Sequence, residues 1–402
     1  MASALKLPGV EEARARMLAG VKTLGVEEVC LAAALGRTLA ADVFASRDQP
    51  PFAASAMDGW AVRALDGAGP RRIIGESAAG HGFAGVVGPG EAVRIFTGAA
   101  VPAGADAVVI QEDATREGEQ VIIPAVTDPS HIRPAGQDFR AGDRLLAAGA
   151  RLDPWRLSLA AAAGHARLAV SARPKVAILS TGEEVVEPGG SPGPFQIFNS
   201  GSTALGGLVA AWGGEAVNSR TVGDDAAAIA QAVAGLTCDL LVTVGGASVG
   251  DHDLVKPALA KLGLQLIVES VAVRPGKPTW FGRLGDGRSV LGLPGNPASA
   301  LVCAELFLRP LLRAMQGADP APRMIVTKAA RALPANGGRE HWMRARLSHG
   351  GDGSLIAEAF EDQDSSLVTI FASADALIRR APGAPPAAAG EPVDVLALER
   401  LN

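Results

Sequence analysis

The stretch DLLVTVGGASVGDHDLVKPALAKLG, residues 239–263, joins an apolar run, a glycine-rich turn and a helical pattern. Residues 239–244 are typical of a buried β-strand, and residues 254–262 repeat apolar side chains at helical spacing. The turn between them contains Gly-Ala-Ser-Val-Gly, the G-x-S-x-G pattern of a hydrolase nucleophile elbow, and ends in two aspartates. It could present a nucleophilic serine, or it could hold a phosphorylated ligand and its metal ion.

The surrounding region, residues 172–316, repeats this alternation of strand-like and helical segments. Strand-like runs are KVAILST, EAVNSRTV, DLLVTVGG and SVLGLPG, and helical segments are STALGGLVAAWG, DDAAAIAQAVAGL and PASALVCAELFLRPLL. Such alternation predicts βαβ units and a parallel sheet, with ligands at the carboxyl ends of the strands.

Three further regions have different patterns. Residues 1–48 and 139–171 predict helices, from VEEARARMLAGV, LAAALGRTLAADV and AGDRLLAAGARLDPWRLSLAAAAG. Residues 49–138 contain short β-like runs and turn glycines, which predicts a small β domain inserted between two parts of one helical unit. Residues 321–402 predict a small β barrel or sandwich. The fold class is therefore α/β plus β in a multidomain chain.

Composition narrows the classes of protein. The chain has 402 residues, of which 48% are hydrophobic, and a formal net charge of −5. A duplex nucleic-acid binder normally has a basic stripe, and the sequence contains none. No apolar run reaches the length of a membrane span. The three cysteines, Cys30, Cys238 and Cys303, are sparse and far apart, which argues against disulfides and structural zinc and favours a reducing cytoplasm.

Two motifs fit their usual functions poorly. A hydrolase elbow needs an acid and then a histidine downstream, but His252 is only four residues from Ser248, and His341 and His349 belong to the β-rich fourth region. The GHGFAG sequence at residues 80–85 matches G-x-G-x-x-G, yet a strand-like run follows it where a dinucleotide site needs a helix. We interpret it as a loop of the β domain.

Four glycine-rich loops at the ends of predicted strands are better candidates for ligand binding. They are STGEE (180–184), GGASVGDHD (245–253), VRPGKP (273–278) and GLPGNPAS (292–299). Small residues let backbone N–H groups approach a phosphate. Arg274 and Lys277 add positive charge, and Ser299 lies in the first turn of a helix. Asp251 and Asp253 supply hard oxygen ligands that suit Mg²⁺.

Asp58 lies among small residues in SAMDG (55–59), at the entry to the β domain. An ordinary Asx turn and a ligand-binding role explain this residue equally well.

Seven segments together carry a resemblance that extends over nearly the whole chain. In order they are SAMDGWAVR, RIFTGAAVPAGADAVV, RPAGQDF, ILSTGEEVVEPG, TVGGASVGDHD, RPGKPTWFG and GLPGNPASALV. The sequence resembles the MoeA family of molybdopterin molybdenumtransferases, which includes the gephyrin E domain.

The resemblance implies four domains and a homodimer. They are an elongated helical domain (1–48 and 139–171), an inserted β domain (49–138), a three-layer molybdopterin-binding α/β domain (172–316) and a C-terminal β barrel (321–402). It also implies an active site between the α/β domain of one subunit and the inserted domain of the other. The implied reaction inserts molybdate into adenylylated molybdopterin and releases AMP, with Mg²⁺ or another divalent cation. Other proteins of molybdenum cofactor biosynthesis and acceptor apoenzymes are implied as further partners.

The resemblance also implies functional residues, at the positions of this sequence that match the motifs of the family. The resemblance implies catalytic roles for Asp58, Thr97, Asp138, Glu184, Asp224 and Asp253. It places the metal ion at Glu184, Asp251 and Asp253. It implies substrate binding by Gly245, Gly246, Ser248, Gly250, Arg274, Lys277, Pro294, Gly295, Asn296, Pro297, Ser299, Arg344 and Ser365. Asp58 and Thr97 would reach in from the partner subunit, and Arg274, Lys277, Ser299 and Arg344 would form the molybdate pocket.

The chain departs from the family pattern at three places. Trp60 replaces a common tyrosine, Ser270 replaces a lysine and so removes one cation from the pocket, and residues 361–377 follow the C-terminal motif only loosely. A tungsten-inserting relative, an adenylyltransferase that makes the intermediate, and a non-enzymatic scaffold remain as alternatives. An adenylyltransferase would resemble only the α/β domain, and a scaffold would carry a fused domain and a long linker.

Overall fold

The computed structural model describes residues 7–126, 131–246 and 254–399. The chain starts with a short segment of mixed structure. Its elements are α1 (Val10–Leu18), β1 (Val26–Cys30), α2 (Leu31–Ala34) and β2 (Val43–Phe44).

A six-stranded sheet with a separate two-stranded ladder follows, as the β-like runs predicted. The strands are β3 (Ala54–Ser55), β4 (Gly59–Val62), β5 (Gly69–Ser77), β6 (Glu91–Ile95), β7 (Ala107–Ile110), β8 (Thr115–Glu117), β9 (Gln120–Ile123) and β10 (Ile132–Arg133). The sheet order is β7-β4-β6-β5-β9-β8, and β3 pairs with β10. Alternate side chains of β4 build one apolar core on each face, since Trp60 and Val62 lie in one cluster and Ala61 in the other. The GHGFAG segment is the loop between β5 and β6.

The chain then returns to its first segment. It forms β11 (Arg144–Leu146), α3 (Pro154–Ala162) and β12 (Arg167–Ser171), and the ladders β1–β12 and β2–β11 are both antiparallel. The prediction of helices over residues 31–43 and 141–164 is therefore wrong for most of both segments. Leu39 N donates to Ala150 O at 2.9 Å, so the two segments pair with each other instead. Helix α3 starts only at Pro154, where the Asp153 carboxylate caps it.

The α/β region contains most of the helices. Its elements are β13 (Lys175–Thr181), β14 (Val185–Val186), β15 (Ile197–Phe198), α4 (Ser200–Ala211), β16 (Glu215–Val222), α5 (Ala226–Ala234), β17 (Leu240–Val244), α6 (Val255–Ala260), β18 (Gln265–Val268), β19 (Val273–Arg274), β20 (Trp280–Arg283), β21 (Ser289–Leu293), α7 (Pro297–Cys303) and α8 (Arg309–Met315). A π-helical turn, Ala304–Leu308, joins α7 to α8.

The sheet of this region has the order β16-β13-β17-β21-β20-β18. Strands β16, β13, β17 and β21 pair in parallel, but β20 runs the opposite way and pairs antiparallel with both β21 and β18, so the prediction of a parallel sheet is wrong at this edge. The connection from β20 to β21 is too short for a crossover, which leaves a hairpin as the remaining geometry. One apolar core lies under α4 and α7 and a second under α5 and α6, which makes three layers.

The C-terminal strands close into a barrel. They are β22 (Met324–Ala329), β23 (Glu340–His349), β24 (Leu355–Ala359), β25 (Ala376–Arg380) and β26 (Pro392–Ala397), with α9 (Val368–Ser373) between β24 and β25. Strand β23 pairs with both β24 and β25, which closes the ring β23-β24-β22-β26-β25. Strand β19 adds to β23 from outside, so the 273–278 loop follows a strand of the barrel sheet and not of the α/β sheet as predicted.

No helix in the described residues combines the length and apolar composition needed to cross a lipid bilayer.

Candidate functional site

Three parallel strand ends meet at one edge of the α/β sheet. Strands β13, β17 and β21 are neighbours, and the Gly245 amide after β17 donates to the Leu293 carbonyl at the end of β21 at 3.2 Å. Gly245 has a φ of 89°, and a Cβ there would lie 2.7 Å from the Thr181 carbonyl oxygen. The backbone can therefore turn this closely past β13 only because residue 245 is glycine.

Gly246 has the same requirement. Its φ is 58°, and a Cβ would overlap the side chain of Val255 at the start of α6. The remaining residues predicted in this loop, Ser248, Gly250, Asp251 and Asp253, lie outside the described residues.

The loop after β21 brings the barrel to the same edge. Gly295 lies next to Gly245, since a Cβ on Gly295 would be 3.5 Å from the Gly245 Cα. The Asn296 side chain donates to Ser365 Oγ at 2.8 Å, and the Ala298 amide donates to the Ser365 carbonyl at 3.1 Å. Pro294 precedes this contact, Pro297 begins α7, and Ser299 is buried in the first turn of that helix. The structure thus brings together all five predicted residues of this loop and Ser365.

Arg344 on β23 is fully buried with one unused hydrogen-bond donor. Its Nη1 donates to the Asp364 carbonyl at 2.9 Å, and its backbone N and Nε donate to Gln363 Oε1. Its Nη2 is buried and has no partner among the described residues. Burial lowers the pKa of Arg344 below its usual range, against the opposing effect of Asp362 and Asp364. A buried cationic donor without a partner is costly, so the arrangement suits a bound anion.

Arg274 and Lys277 are exposed, on β19 and just after it, and β19 pairs with β23, the strand that carries Arg344. Thr279 joins the 273–278 loop to α7. Its Oγ1 donates to the Gly276 carbonyl at 2.8 Å and contacts Cys303 Sγ at 3.0 Å. Cys303 belongs to α7, the helix that also carries Ser299. The segment with Arg274 and Lys277 therefore contacts the helix that carries Ser299.

His341 and Gln363 are residues that the sequence reasoning missed at this place. His341 pairs with Arg274 across the β19–β23 ladder and is buried. Burial, followed by the charges of Arg274, Arg344 and Arg339, lowers the pKa of His341 to about 4. Arg339 and Arg344 flank the histidine in the sequence, which was an available signal. The proximity of Arg274 to His341 depends on strand pairing, for which the sequence contains no local signal.

Glu184 is exposed just after β13, and its carboxylate folds back over Gly182. A polar network lies beside it. Asn199 caps α4, and its side-chain amide donates to Ser180 Oγ at 3.2 Å and to Thr221 Oγ1 at 3.1 Å. Asp224 is exposed beyond the end of β16, the strand next to β13.

Only one of the three predicted metal ligands, Glu184, lies within the described residues. In residues 7–126, 131–246 and 254–399, no three His, Cys, Asp or Glu side chains cluster closely enough to hold a metal ion. Glu184 offers one exposed carboxylate beside the glycine turns. Mg²⁺ commonly takes one or two carboxylates and completes its shell with water and substrate phosphates, so this donor fits it.

Asp58, Thr97 and Asp138 lie elsewhere in the chain, outside the α/β sheet. Asp58 Oδ1 accepts hydrogen bonds from the Thr97 amide at 2.7 Å and the Thr97 hydroxyl at 2.8 Å. The Thr97 amide, then the Thr97 hydroxyl and finally Arg94 lower the pKa of Asp58, although burial opposes them. The Asp58 carboxylate thus bonds a distant residue rather than forming an Asx turn. Asp138 is exposed, and its amide donates to the Gln49 carbonyl at 2.9 Å.

Three protein-family models match the chain in succession. The MoeA N-terminal region (domains I and II) matches residues 9–164, a probable molybdopterin-binding domain matches residues 177–314, and the MoeA C-terminal region (domain IV) matches residues 327–398.

Individual proteins and structures agree with these matches. The chain is 33% identical over 378 residues to the molybdopterin molybdenumtransferase of Haemophilus influenzae, covering 92% of this chain and 93% of that protein. It is 32% identical over 411 residues to the Bacillus subtilis protein of the same name, covering 98% and 94%. A crystal structure of the molybdopterin biosynthesis MoeA protein from Pyrococcus horikoshii is similar with a TM-score of 0.82 at 30% identity, covering 98% of this chain and 100% of that one.

Proposed function

This chain belongs to the MoeA family of molybdopterin molybdenumtransferases, and on that premise we propose that it inserts molybdenum from molybdate into adenylylated molybdopterin and releases AMP. The reaction is a step of molybdenum cofactor biosynthesis. The observation that carries the proposal is the buried Arg344 guanidinium, whose Nη2 has no partner among the described residues.

The oxyanion pocket would be formed where the barrel meets the α/β domain. Molybdate is a tetrahedral dianion, and an arginine presents a planar array of donors that matches such an oxygen face. Arg344 would bind from inside, while Arg274 and Lys277 would approach from the exposed loop. Ser299 and Ser365 would add neutral hydrogen bonds. Charge and donors fixed before binding stabilise the reacting oxyanion without reorganisation.

The glycine turns would hold the diphosphate of the adenylylated substrate. Gly245 and Gly246 permit close backbone approach, which N–H donors need to cradle a phosphate. Glu184, with Asp251 and Asp253, would hold Mg²⁺, and a bound Mg²⁺ neutralises phosphate charge and polarises the phosphoryl oxygens. Pro294 and Pro297 would shape the loop around molybdopterin. Asp224 would lie at the margin of the same edge.

The assembly would be a homodimer. Asp58 and Thr97 are fixed to each other on the inserted sheet, and they would complete the site from the partner subunit together with Asp138. The free thiols of Cys30, Cys238 and Cys303 suit a reducing compartment, and we place the enzyme in the cytoplasm.

The test supplies adenylylated molybdopterin and Mg²⁺ to the purified chain, with molybdate, tungstate or neither. Released AMP and formed cofactor are measured together. The proposal requires AMP release and cofactor formation that depend on molybdate. Release with tungstate alone would indicate a tungsten-inserting enzyme, and no release with either oxyanion would leave the scaffold alternative.

A matched pair of lysine variants tests the pocket. Lys277→Ala removes an exposed cation of the loop, and we expect the KM for molybdate to rise about tenfold while folding is unchanged. Lys261→Ala removes an exposed lysine just after α6 and should leave the KM as in the wild type. Equal KM values in both variants would place molybdate elsewhere.

A further inference from the structure

Thr181 carries a buried hydroxyl that has no hydrogen-bond partner among the described residues. It is the last residue of β13, it is 4% exposed, and its Oγ1 is buried. A hydroxyl that is removed from water without a partner costs free energy, so such a group in a folded protein needs a specific cause. An oxygen atom of a bound ligand is a partner that would satisfy it.

The hydroxyl lies next to the glycine turn that follows β17. A Cβ on Gly245 would be 3.2 Å from Thr181 Oγ1, and a Cβ on Gly246 would be at the same distance. Because both residues are glycine, no side chain of the turn separates this hydroxyl from the backbone N–H groups that we assign to phosphate binding.

The connections of the sheet diverge at the same place. The chain leaves β13 through α4 to β16 on one side, but it leaves β17 through α6 towards β18, β20 and β21 on the other. Helix α4 packs in one apolar core and α6 in the core on the opposite face. In open α/β sheets such a divergence leaves a crevice outside the carboxyl ends of the two strands, and ligands bind there. Thr181 ends the first of these strands, and Gly245 follows the second.

We propose that the Thr181 hydroxyl donates a hydrogen bond to the phosphate held by the Gly245–Gly246 turn, which makes Thr181 a binding residue for the diphosphate of adenylylated molybdopterin. The inference rests on the proposed function, since it assumes that this turn binds the phosphates. The end of a buried strand holds the side chain in place before binding, and threonine is stiff at χ1, so little conformational entropy is lost when the bond forms.

Thr243 supplies a matched control. It lies on β17 two residues before Gly245, it is fully buried, and its hydroxyl also lacks a partner among the described residues. Substitution by valine replaces either hydroxyl with a methyl group and breaks no hydrogen bond that the described residues make. Urea unfolding should therefore find Thr181→Val and Thr243→Val at least as stable as the wild type.

The experiment measures the KM for adenylylated molybdopterin during molybdate-dependent AMP release. Thr181→Val should raise this KM about tenfold, as expected for the loss of one hydrogen bond to a charged group, with kcat near the wild-type value. The KM for molybdate should stay unchanged, because Arg344 and Lys277 are intact. Thr181→Ser keeps the hydroxyl and should retain most of the affinity, and Thr243→Val should match the wild type.

The outcomes separate the role of Thr181 from the proposed function. An unchanged KM in Thr181→Val, an equal rise in Thr243→Val, or a serine variant as impaired as the valine variant would overturn the role of Thr181 and leave the reaction intact. Absence of molybdate-dependent AMP release in the wild type would overturn the reaction itself. Should Thr181→Val not fold, Thr181→Ser is compared with Thr181→Ala, and equal KM values in these two variants would contradict the proposal.

Discussion

Gly276 determines how the loop with Arg274 and Lys277 can lie on α7. Its φ is 108°, and a Cβ would lie 2.1 Å from Cys303 Sγ, which is fully buried. The surrounding atoms cannot move aside easily, because Thr279 holds both the Gly276 carbonyl and the sulfur. The position of two cations of the proposed pocket therefore depends on a residue that bears no charge.

Gly276→Ala should destabilise the fold by about 3 kcal/mol, from left-handed backbone strain and overpacking combined. Urea unfolding measures the difference. Gly287→Ala provides the control: its φ is 90°, but a Cβ there has no atom within 4 Å, so only the strain of about 1 kcal/mol applies. Similar losses in both variants would show that contact with Cys303 has no energetic effect.

Ionisation of Asp58 makes the stability of the fold depend on pH. Its pKa lies below the ordinary value, so the ionised carboxylate adds stability at neutral pH, and this contribution disappears as pH falls through the lowered pKa. Thr97→Val removes the hydroxyl donor but keeps the amide donor, so the pKa of Asp58 should rise only part of the way back. Carboxyl NMR titration measures it, with Thr115→Val on the exposed β8 as the control. An unchanged pKa would contradict the assigned hydrogen bond.

At the scale of elements, prediction from sequence succeeded where a pattern had one physical explanation. The buried runs of β13, β17 and β21 have turn signals on both sides, and the strands occur where expected. Residues 31–43 and 141–164 misled the prediction because alanine and leucine have high helix propensity, which pairing between the two distant segments overrides. The proximity of Ser365 to Asn296 and of His341 to Arg274 depends on pairing between distant strands, which local periodicity does not encode.

The helix that follows the glycine-rich loop 292–299 also contains an irregularity with a local cause. Pro310 lies inside the continuous run from α7 to α8 and has no amide hydrogen to donate to the preceding turn. The chain widens there into the π-helical turn Ala304–Leu308.

Asn199 joins three elements, and its replacement should cost more than the loss of an ordinary helix cap. It caps α4 and donates to Ser180 and Thr221 from a buried position. Asn199→Ala should lower the free energy of unfolding by about 3 kcal/mol, because buried partners lose their hydrogen bonds. Asp225→Ala removes the exposed cap of α5 and should cost about 1 kcal/mol. Equal costs in urea unfolding would mean that the network adds nothing.

At the scale of the whole molecule, the proposed catalytic groups are divided between the inserted sheet and the α/β region. If they meet only across a dimer, two inactive variants should complement each other. Asp58→Asn and Glu184→Gln are each expected to lose most molybdate-dependent AMP release. Their mixed dimers contain one site free of both substitutions, so a statistical mixture should regain about a quarter of wild-type activity.

Complementation is measured after the two variants are unfolded together and refolded, with each variant refolded alone as the control. Activity no greater than the sum of the separate samples would contradict a site shared between subunits.

The pairing of β2 with β11 brings the two ends of the insertion together. Val43 and Phe44 lie directly beside Leu146 and Arg144, so the chain leaves for the insertion and returns from it on adjacent strands. A tight turn could join strands at that spacing. The chain therefore enters and leaves the insertion at one place: the rest of the chain carries the proposed oxyanion and phosphate loops, and the insertion carries Asp58. Replacement of the insertion by such a turn would separate the groups proposed to capture the substrates from the acid proposed to act in their conversion.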